Sequence, residues 1–173
     1  GARPGHRLVV TGSVGGAAAG RRLTSQRSWS DEERDALSRW MRPTPRVGEA
    51  AALAANGVSA MIDVSDGLAI DLSRVCAESG TGVRLDRHLI PVHAAATVDE
   101  ALGGGEDYEL LATLPDRAAV ERASSELHHR FGVPLTEIGT ITEAGLVEVG
   151  DDGDEHPLRI DGWDHFAMGG DAP

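Results

Sequence analysis

The sequence predicts an α+β domain, in which short strands and amphipathic helices follow one another along 173 residues. Apolar runs of strand length recur, as at 7–12 and 82–86, and longer segments such as 116–131 carry apolar residues at helical spacing. No internal repeat or low-complexity linker divides the chain. Its length suits one domain with a core of its own, so we predict a single domain over residues 1–173.

Local signals set the boundaries of the elements in the first third of the chain. Small residues follow the first apolar run, and 30–33 has the sequence of a capping box, which begins a helix. Pro43 and Pro45 interrupt the chain after that helix, and Asn56 with Gly57 ends the next one. These signals predict a strand at 7–12 and helices at 14–20, 30–41 and 47–55.

The segment 59–68 combines an apolar run with two carboxylates. Alternate apolar residues of the run would share one face of a strand, and from Leu68 the apolar residues repeat with helical spacing. The sequence therefore predicts a buried strand that delivers Asp63 and Asp66 to a strand-to-helix turn. A carboxylate at the end of an apolar strand needs a hydrogen-bonding partner, a cation or solvent. In open α/β sheets, ligands bind beyond the carboxyl ends of the strands, where these acids are expected.

The remaining elements follow from turn residues and periodicity. Glycines end the helix near 80 and occupy 103–105, just before the acidic pair Glu106 and Asp107. The acidic stretch 151–155 is predicted to be a solvated loop. Strands are predicted at 82–86, 108–113, 135–141 and 145–149, and helices at 68–79, 97–102 and 116–131.

The acidic candidates have simpler alternatives. Ser65 or Asp66 would serve equally well as a cap of the helix that follows, as Ser and Asp commonly do. The two interpretations are compatible, because a helix N-terminus offers N–H groups to an anion while flanking carboxylates hold a metal ion. For Glu106 and Asp107 the alternative is a polar loop or hairpin entry. Trp163 has two interpretations as well: its ring would bind a cationic ligand, or it would only anchor the end of the chain by packing.

The glycine-rich segment 12–20 also has two interpretations. Its glycines suggest a loop that binds phosphate, but neither GxGxxG nor GK[ST] is present. Small residues equally permit close packing of a helix. The sequence alone leaves both interpretations open.

Composition excludes several classes of function. A formal net charge of −12 argues against a nucleic-acid backbone as the main partner, because such binding needs a basic surface. All 16 basic residues are arginine, which excludes the Walker A lysine and Schiff-base or pyridoxal phosphate chemistry. The single cysteine, Cys76, excludes an internal disulfide and is expected in the core. Phosphoryl groups would therefore be handled by metal ions and backbone N–H groups.

No apolar run approaches the roughly 20 residues of a membrane span. The first 25 residues also lack the pattern of a secretory signal. We therefore expect a cytoplasmic protein without a membrane partner.

Taken together, the motifs resemble the C-terminal half of the thiamine-monophosphate kinases, in the superfamily of aminoimidazole ribonucleotide synthetase. The combination of Asp-Val-Ser-Asp-Gly-Leu with Gly-Gly-Glu-Asp-Tyr-Glu-Leu is typical of these kinases rather than of their superfamily relatives. At position 6 the family usually has Asp, where this chain has His6. The matching stretches are 5–15, 42–46, 60–68, 104–111, 138–139 and 162–166.

The resemblance implies a mixed β-sheet flanked by helices, like the C-terminal domain of that superfamily. It also implies site residues: Asp63 and Asp66 as magnesium ligands, Ser65 as an ATP contact, and Glu106 with Trp163 as contacts of thiamine monophosphate. The family's N-terminal half, with its nucleotide-binding loop and dimer interface, has no counterpart in the chain. The complete enzyme is expected to be a homodimer through that half, and the chain alone is expected to be inactive.

The implied reaction is the transfer of the γ-phosphoryl group of ATP to thiamine monophosphate, with Mg²⁺ as cofactor, giving thiamine diphosphate. Two alternatives remain at this stage. In the first, the chain is a non-catalytic binding domain or inactive remnant. In the second, it is a superfamily relative that acts on another phosphorylated or acyl substrate.

Overall fold

The structure, a computed structural model, describes residues 1–150 and 152–160. Within that part, seven strands form one sheet in the order β2-β4-β1-β5-β3-β6-β7. The strands are β1 (Arg7–Thr11), β2 (Ala60–Asp63), β3 (Gly82–Asp86), β4 (Leu110–Leu114), β5 (Leu135–Thr142), β6 (Leu146–Val149) and β7 (Glu155–Pro157).

Helices fill most of the connections between the strands. A short 3₁₀ helix, Arg87–Leu89, follows β3. The α-helices of the described part are α1 (Gly16–Leu23), α2 (Asp31–Met41), α3 (Val47–Ala55), α4 (Leu68–Ser79), α5 (Val98–Gly103) and α6 (Arg117–Phe131). The capping box at Ser30 is present, with Glu33 bonding back to the N-cap. No helix of the described chain is long and apolar enough to cross a membrane.

The sheet is mixed, which confirms the α+β class. Neighbouring strands pair antiparallel, except that β3 and β6 run parallel. The prediction of a buried strand at 60–64 needs correction, because β2 is half-buried and, among residues 1–150 and 152–160, is an edge strand that pairs only with β4. The argument from parallel α/β sheets therefore does not apply to its carboxyl end.

Apolar side chains alternate between the two faces of the sheet, and each face has its own core. In β1, Leu8 and Val10 face one core, whereas Val9 faces the other. Helix α4, including the buried Cys76, packs in the first core, and helices α3 and α6 pack in the second. Helices α1 and α2 meet in a third, smaller cluster beside these layers. The seven strands thus support helices on both faces, as the resemblance implies.

Several boundaries differ from the predicted ones, among them the end of α1 at Leu23 rather than at 20, and β7 was not predicted. Helix α1 begins at Gly16 rather than at 14, because Gly15 has a left-handed backbone with φ +85°. Strand β4 begins at Leu110 rather than at 108, since Tyr108 has φ +52°, which an extended strand does not allow. Strand β7 lies partly in the predicted acidic loop. It is exposed throughout, so it has no alternating apolar pattern to reveal it.

Candidate functional site

Two acidic motifs that are far apart in the sequence lie side by side. Val64 donates its N–H to the carbonyl of Glu109 at 2.8 Å, and Tyr108 donates to the carbonyl of Val64 at 2.9 Å. The N–H of Glu106 donates to the carbonyl of Ser65, also at 2.9 Å. A Cβ atom on Gly105 would lie 2.3 Å from that carbonyl oxygen, so this approach requires glycine. The structure therefore brings together the predicted site residues Ser65 and Glu106.

A buried carboxylate shapes the turn between β2 and α4. The Oδ2 atom of Asp71 accepts the N–H groups of Ser65, Asp66 and Gly67 at 3.0, 3.0 and 3.2 Å. The Asp71 side chain is fully buried. Gly67 is the N-cap of α4 and has no side-chain cap, so neither Ser65 nor Asp66 caps this helix. The simpler interpretation of these two residues is therefore wrong.

Sequence reasoning missed Asp71, although the sequence carries a signal for it. The residue lies between Leu68 and Leu72 on the apolar face of a predicted helix. A charged side chain on such a face is rarely buried without partners. That placement could have predicted an internal hydrogen-bonding role.

Asp63 and Asp66 differ in their surroundings. Asp63 is exposed, and its carboxylate makes no ion pair with any residue of 1–150 or 152–160. Asp66 is mostly covered, with 18% of its side chain exposed, and its Oδ2 lies 2.5 Å from Nη1 of Arg74. Both carboxylates lie on the short segment from the end of β2 to Gly67.

The carboxylates of Asp63 and Asp66 fit part of the ligand set of a magnesium ion. Among the described residues, no group of three or more His, Cys, Asp or Glu is arranged to hold a metal ion. Mg²⁺ characteristically takes one or two carboxylates and completes its octahedron with water and substrate phosphates. Asp63 and Asp66 supply ligands of that kind and number.

Asp107 occupies the N-terminal end of α1. Its carboxylate accepts the N–H of Gly15 at 2.6 Å and that of Ala17 at 2.9 Å. A phosphate bound to the glycine-rich segment would need these N–H groups, which already donate to Asp107. The structure therefore favours the packing interpretation of residues 12–20. Burial raises the pKa of Asp107 to about 6, although the two N–H groups oppose the shift; Glu109 adds to it.

This raised pKa predicts a pH dependence of stability. The unfolded chain releases the Asp107 proton near its usual pKa of 3.8, whereas the folded protein keeps it to about pH 6. The folded state binds more protons between these values, so Asp107 makes stability fall as the pH rises through that window. Asp107→Asn keeps an acceptor oxygen without the charge. We expect the unfolding free energy of Asp107→Asn, relative to that of the wild type, to rise by on the order of 2–3 kcal/mol from pH 4 to pH 7.

Urea denaturation of both proteins across that pH range measures this difference. The exposed Asp31→Asn, in which 91% of the aspartate side chain is open to solvent, serves as the control and should show no comparable gain. A pH-independent difference between Asp107→Asn and wild type would contradict the assignment.

Glu109 lies next to Asp107 and is the centre of a buried ionic cluster. Arg46 donates to both of its oxygens, from Nε at 2.9 Å and from Nη2 at 2.7 Å. The hydroxyl of Thr11 donates to Oε2 at 2.7 Å. Gly12 has φ +60°, and a Cβ there would lie 2.2 Å from Oε1 of Glu109. The cluster joins β1, the start of β4 and the loop before α3.

The remaining predicted residues are placed as follows. Glu106 is exposed and has φ +69°, so its side chain projects from a strained turn next to Ser65. Trp163 lies outside the described residues. The structure thus assembles Asp63, Ser65, Asp66 and Glu106 on two adjoining segments.

Comparison with known proteins places the chain in a family. The model of the AIR synthase related protein C-terminal domain matches residues 3–152. The chain therefore belongs to the family of AIR synthase-related C-terminal domains. Within it, the chain is similar to thiamine-monophosphate kinases, which confirms the resemblance stated from the motifs.

The similarity to individual relatives is substantial. The chain is 40% identical to the thiamine-monophosphate kinase of Salmonella typhimurium, over 96% of this chain and 54% of the relative. It is 36% identical to that of Halobacterium salinarum, over 95% of this chain and 54% of the relative. The chain thus spans about half the length of the curated relatives it matches.

Solved structures agree with this placement. AaThiL complexed with AMPPCP and TMP is 28% identical with a TM-score of 0.78, over 96% of this chain and 53% of that one. The thiamine-monophosphate kinase from Stenotrophomonas maltophilia K279a is 32% identical with a TM-score of 0.76, over 88% of this chain and 52% of that one. The hydrogenase maturation protein HypE of E. coli, 22% identical over 91% of this chain and 50% of that one, has a TM-score of 0.67 and shares the fold.

Proposed function

We propose that this chain is the C-terminal part of an enzyme that phosphorylates thiamine monophosphate with ATP, giving thiamine diphosphate. The observation that carries the proposal is the backbone pairing of the Asp63–Gly67 segment with the segment that bears Glu106. It joins a carboxylate pair suited to Mg²⁺ with a neighbouring acidic side chain. The relatives named thiamine-monophosphate kinase and the structure holding AMPPCP and TMP support the choice of substrates.

Each site residue has a role in this proposal. Asp63 and Asp66 would hold Mg²⁺, which when bound neutralises phosphate charge. Ser65, between them, would contact the nucleotide. Glu106 and Trp163 would bind the thiamine part of the acceptor, and an aromatic ring over a cationic thiazolium contributes roughly 0.5–2 kcal/mol.

The chemistry asks for positioning rather than for a general base. A phosphate monoester has its second pKa near about 6, so the attacking oxygen is already ionised at neutral pH. The obstacle is repulsion between two anions, which is relieved by cations and by fixed geometry. The buried carboxylate of Asp71 would fix that geometry, because it accepts the N–H groups of residues 65–67, which connect Asp63 to α4.

The proposal extends to the rest of the enzyme. An N-terminal domain would supply further magnesium ligands and the nucleotide loop, and would form a homodimer in the cytoplasm. The chain alone would then be inactive.

Asp63→Asn in the complete enzyme tests the proposal. We expect turnover with ATP and thiamine monophosphate to fall on the order of 100-fold or more, because one magnesium ligand is lost. Asp31→Asn, on the exposed face of α2, is the matched control and should keep normal turnover.

Near-normal turnover of Asp63→Asn at saturating Mg²⁺ would exclude this role of the residue. Phosphoryl transfer without preference for thiamine compounds would favour the superfamily relative instead. An inactive complete enzyme would favour the remnant.

A further inference from the structure

Arg74 links the candidate magnesium ligand Asp66 to the buried Asp71. Its Nη1 atom lies 2.5 Å from Oδ2 of Asp66 and 2.6 Å from Oδ1 of Asp71. Its side chain is 45% exposed, whereas Asp71 is fully buried. One guanidinium nitrogen therefore bridges a carboxylate of the candidate site and a carboxylate of the protein interior.

The two carboxylates are not equivalent partners. Asp71 uses Oδ2 for three N–H groups and Oδ1 for Arg74, so it is committed to the fold. Asp66 is the more accessible of the two, with 18% of its side chain exposed. Arg74 can therefore leave Asp66 while it stays paired with Asp71. The exposed part of its side chain gives it room to do so.

A divalent cation and a guanidinium compete for the same carboxylate. Each neutralises Asp66, and both cannot approach its Oδ2 atom closely because they repel each other. We propose that Arg74 is a built-in counter-cation of Asp66, which Mg²⁺ must displace, so that Arg74 lowers the affinity of this site for divalent ions. The inference rests on the proposed function, since it takes Asp66 as a magnesium ligand.

The displacement of Arg74 leaves the turn intact. In the absence of a divalent ion, the guanidinium neutralises Asp66 next to the buried charge of Asp71. When a divalent ion binds Asp66, Asp71 retains the guanidinium close by. The turn then keeps its shape in both states, because the three N–H bonds to Asp71 do not depend on Arg74.

Cation binding by the complete enzyme tests the inference, because this chain spans only about half the length of its relatives. Mn²⁺ is titrated as the probe, and paramagnetic broadening of the amide signals at 63–67 locates it. Calorimetry with Mg²⁺ alone gives the affinity. We expect Arg74→Gln to bind either ion about three- to tenfold more tightly, as removal of one positive charge several ångströms from a divalent ion predicts after screening. Arg74→Lys should stay near wild type because it keeps the charge.

The control is Arg130→Gln on α6, where Nη1 of Arg130 lies 2.5 Å from Glu126. This ion pair has the same length and lies in another helix, so its loss should leave cation affinity unchanged. Thermal unfolding of each variant establishes that it is folded. A purely structural Arg74 would change the unfolding temperature but not the affinity.

The outcomes separate the inference from the proposed function. Broadening at 63–67 with unchanged or weaker affinity in Arg74→Gln overturns the counter-cation role and leaves the magnesium site in place. Absence of broadening there in wild type and in every variant overturns the magnesium site and the inference with it. Tighter binding in Arg74→Gln that Asp66→Asn abolishes supports both.

Discussion

Asp71→Ala is expected to lower the unfolding free energy by about 3–5 kcal/mol, because it leaves three backbone N–H groups and Arg74 without their buried acceptor. The damage should be concentrated in the turn that carries Ser65 and Asp66. We therefore also expect the amides of residues 65–67 to exchange with solvent much faster than in the wild type, and those of β1 to change less. In the complete enzyme of the proposed function, turnover should fall with the loss of this geometry.

Chemical denaturation and amide hydrogen exchange measure the two effects. Asp116→Ala is the matched control, since Asp116 also accepts a backbone N–H, that of Ala119, but only as the exposed cap of α6. A helix cap contributes about 1 kcal/mol, so the control should cost much less. An equal cost for both substitutions, or unchanged exchange at 65–67, would show that Asp71 does not shape the turn.

The second large effect is expected at the buried pair of Arg46 and Glu109. Arg46→Met leaves the Glu109 carboxylate, whose side chain is only 2% exposed, without its main partner. Breaking such a pair from one side costs about 3–5 kcal/mol, whereas replacing both partners with apolar residues is much less harmful. We therefore expect Arg46→Met combined with Glu109→Leu to be far less destabilised than the sum of the single variants.

A double-mutant cycle by urea denaturation measures this coupling. The pair of Arg130 and Glu126 on α6 provides the reference cycle, because it lies at the surface at a similar distance. Its coupling should stay below about 1 kcal/mol. Additive effects at Arg46 and Glu109 would mean that solvent or Arg39, whose Nη1 is 3.7 Å from Glu109, neutralises the charge after the substitution.

Periodicity and turn residues were sufficient to predict most of the fold. The strand at 82–86 and the helix at 47–55 have the predicted bounds, since their ends depend on local signals. The edge position of β2 could not be predicted, because strand order depends on contacts between distant parts of the chain. The start of β4 was missed for a related reason. Tyrosine is common in strands, which is why the strand was predicted to begin at Tyr108. Its left-handed backbone follows from the pairing with Val64.

The candidate site was predicted only where its residues carry a motif. Asp63, Ser65, Asp66 and Glu106 were named from motifs, and the structure brings their segments together. Arg46 was noted within a matching stretch, but its buried partner is 63 residues away and no local pattern predicts that contact. The partnership of Asp107 with α1 also joins distant segments, Gly15 with Asp107, and only the fold reveals it.

The hydrogen bond between Ser65 and Glu106 sets a rule for insertions and deletions. The bonds that align 64–65 with 106–109 fix the spacing within each motif, since a shift of one residue would pair different carbonyls and turn the acidic side chains to the other face. Deletion of Gly105 alone should therefore dismantle the site.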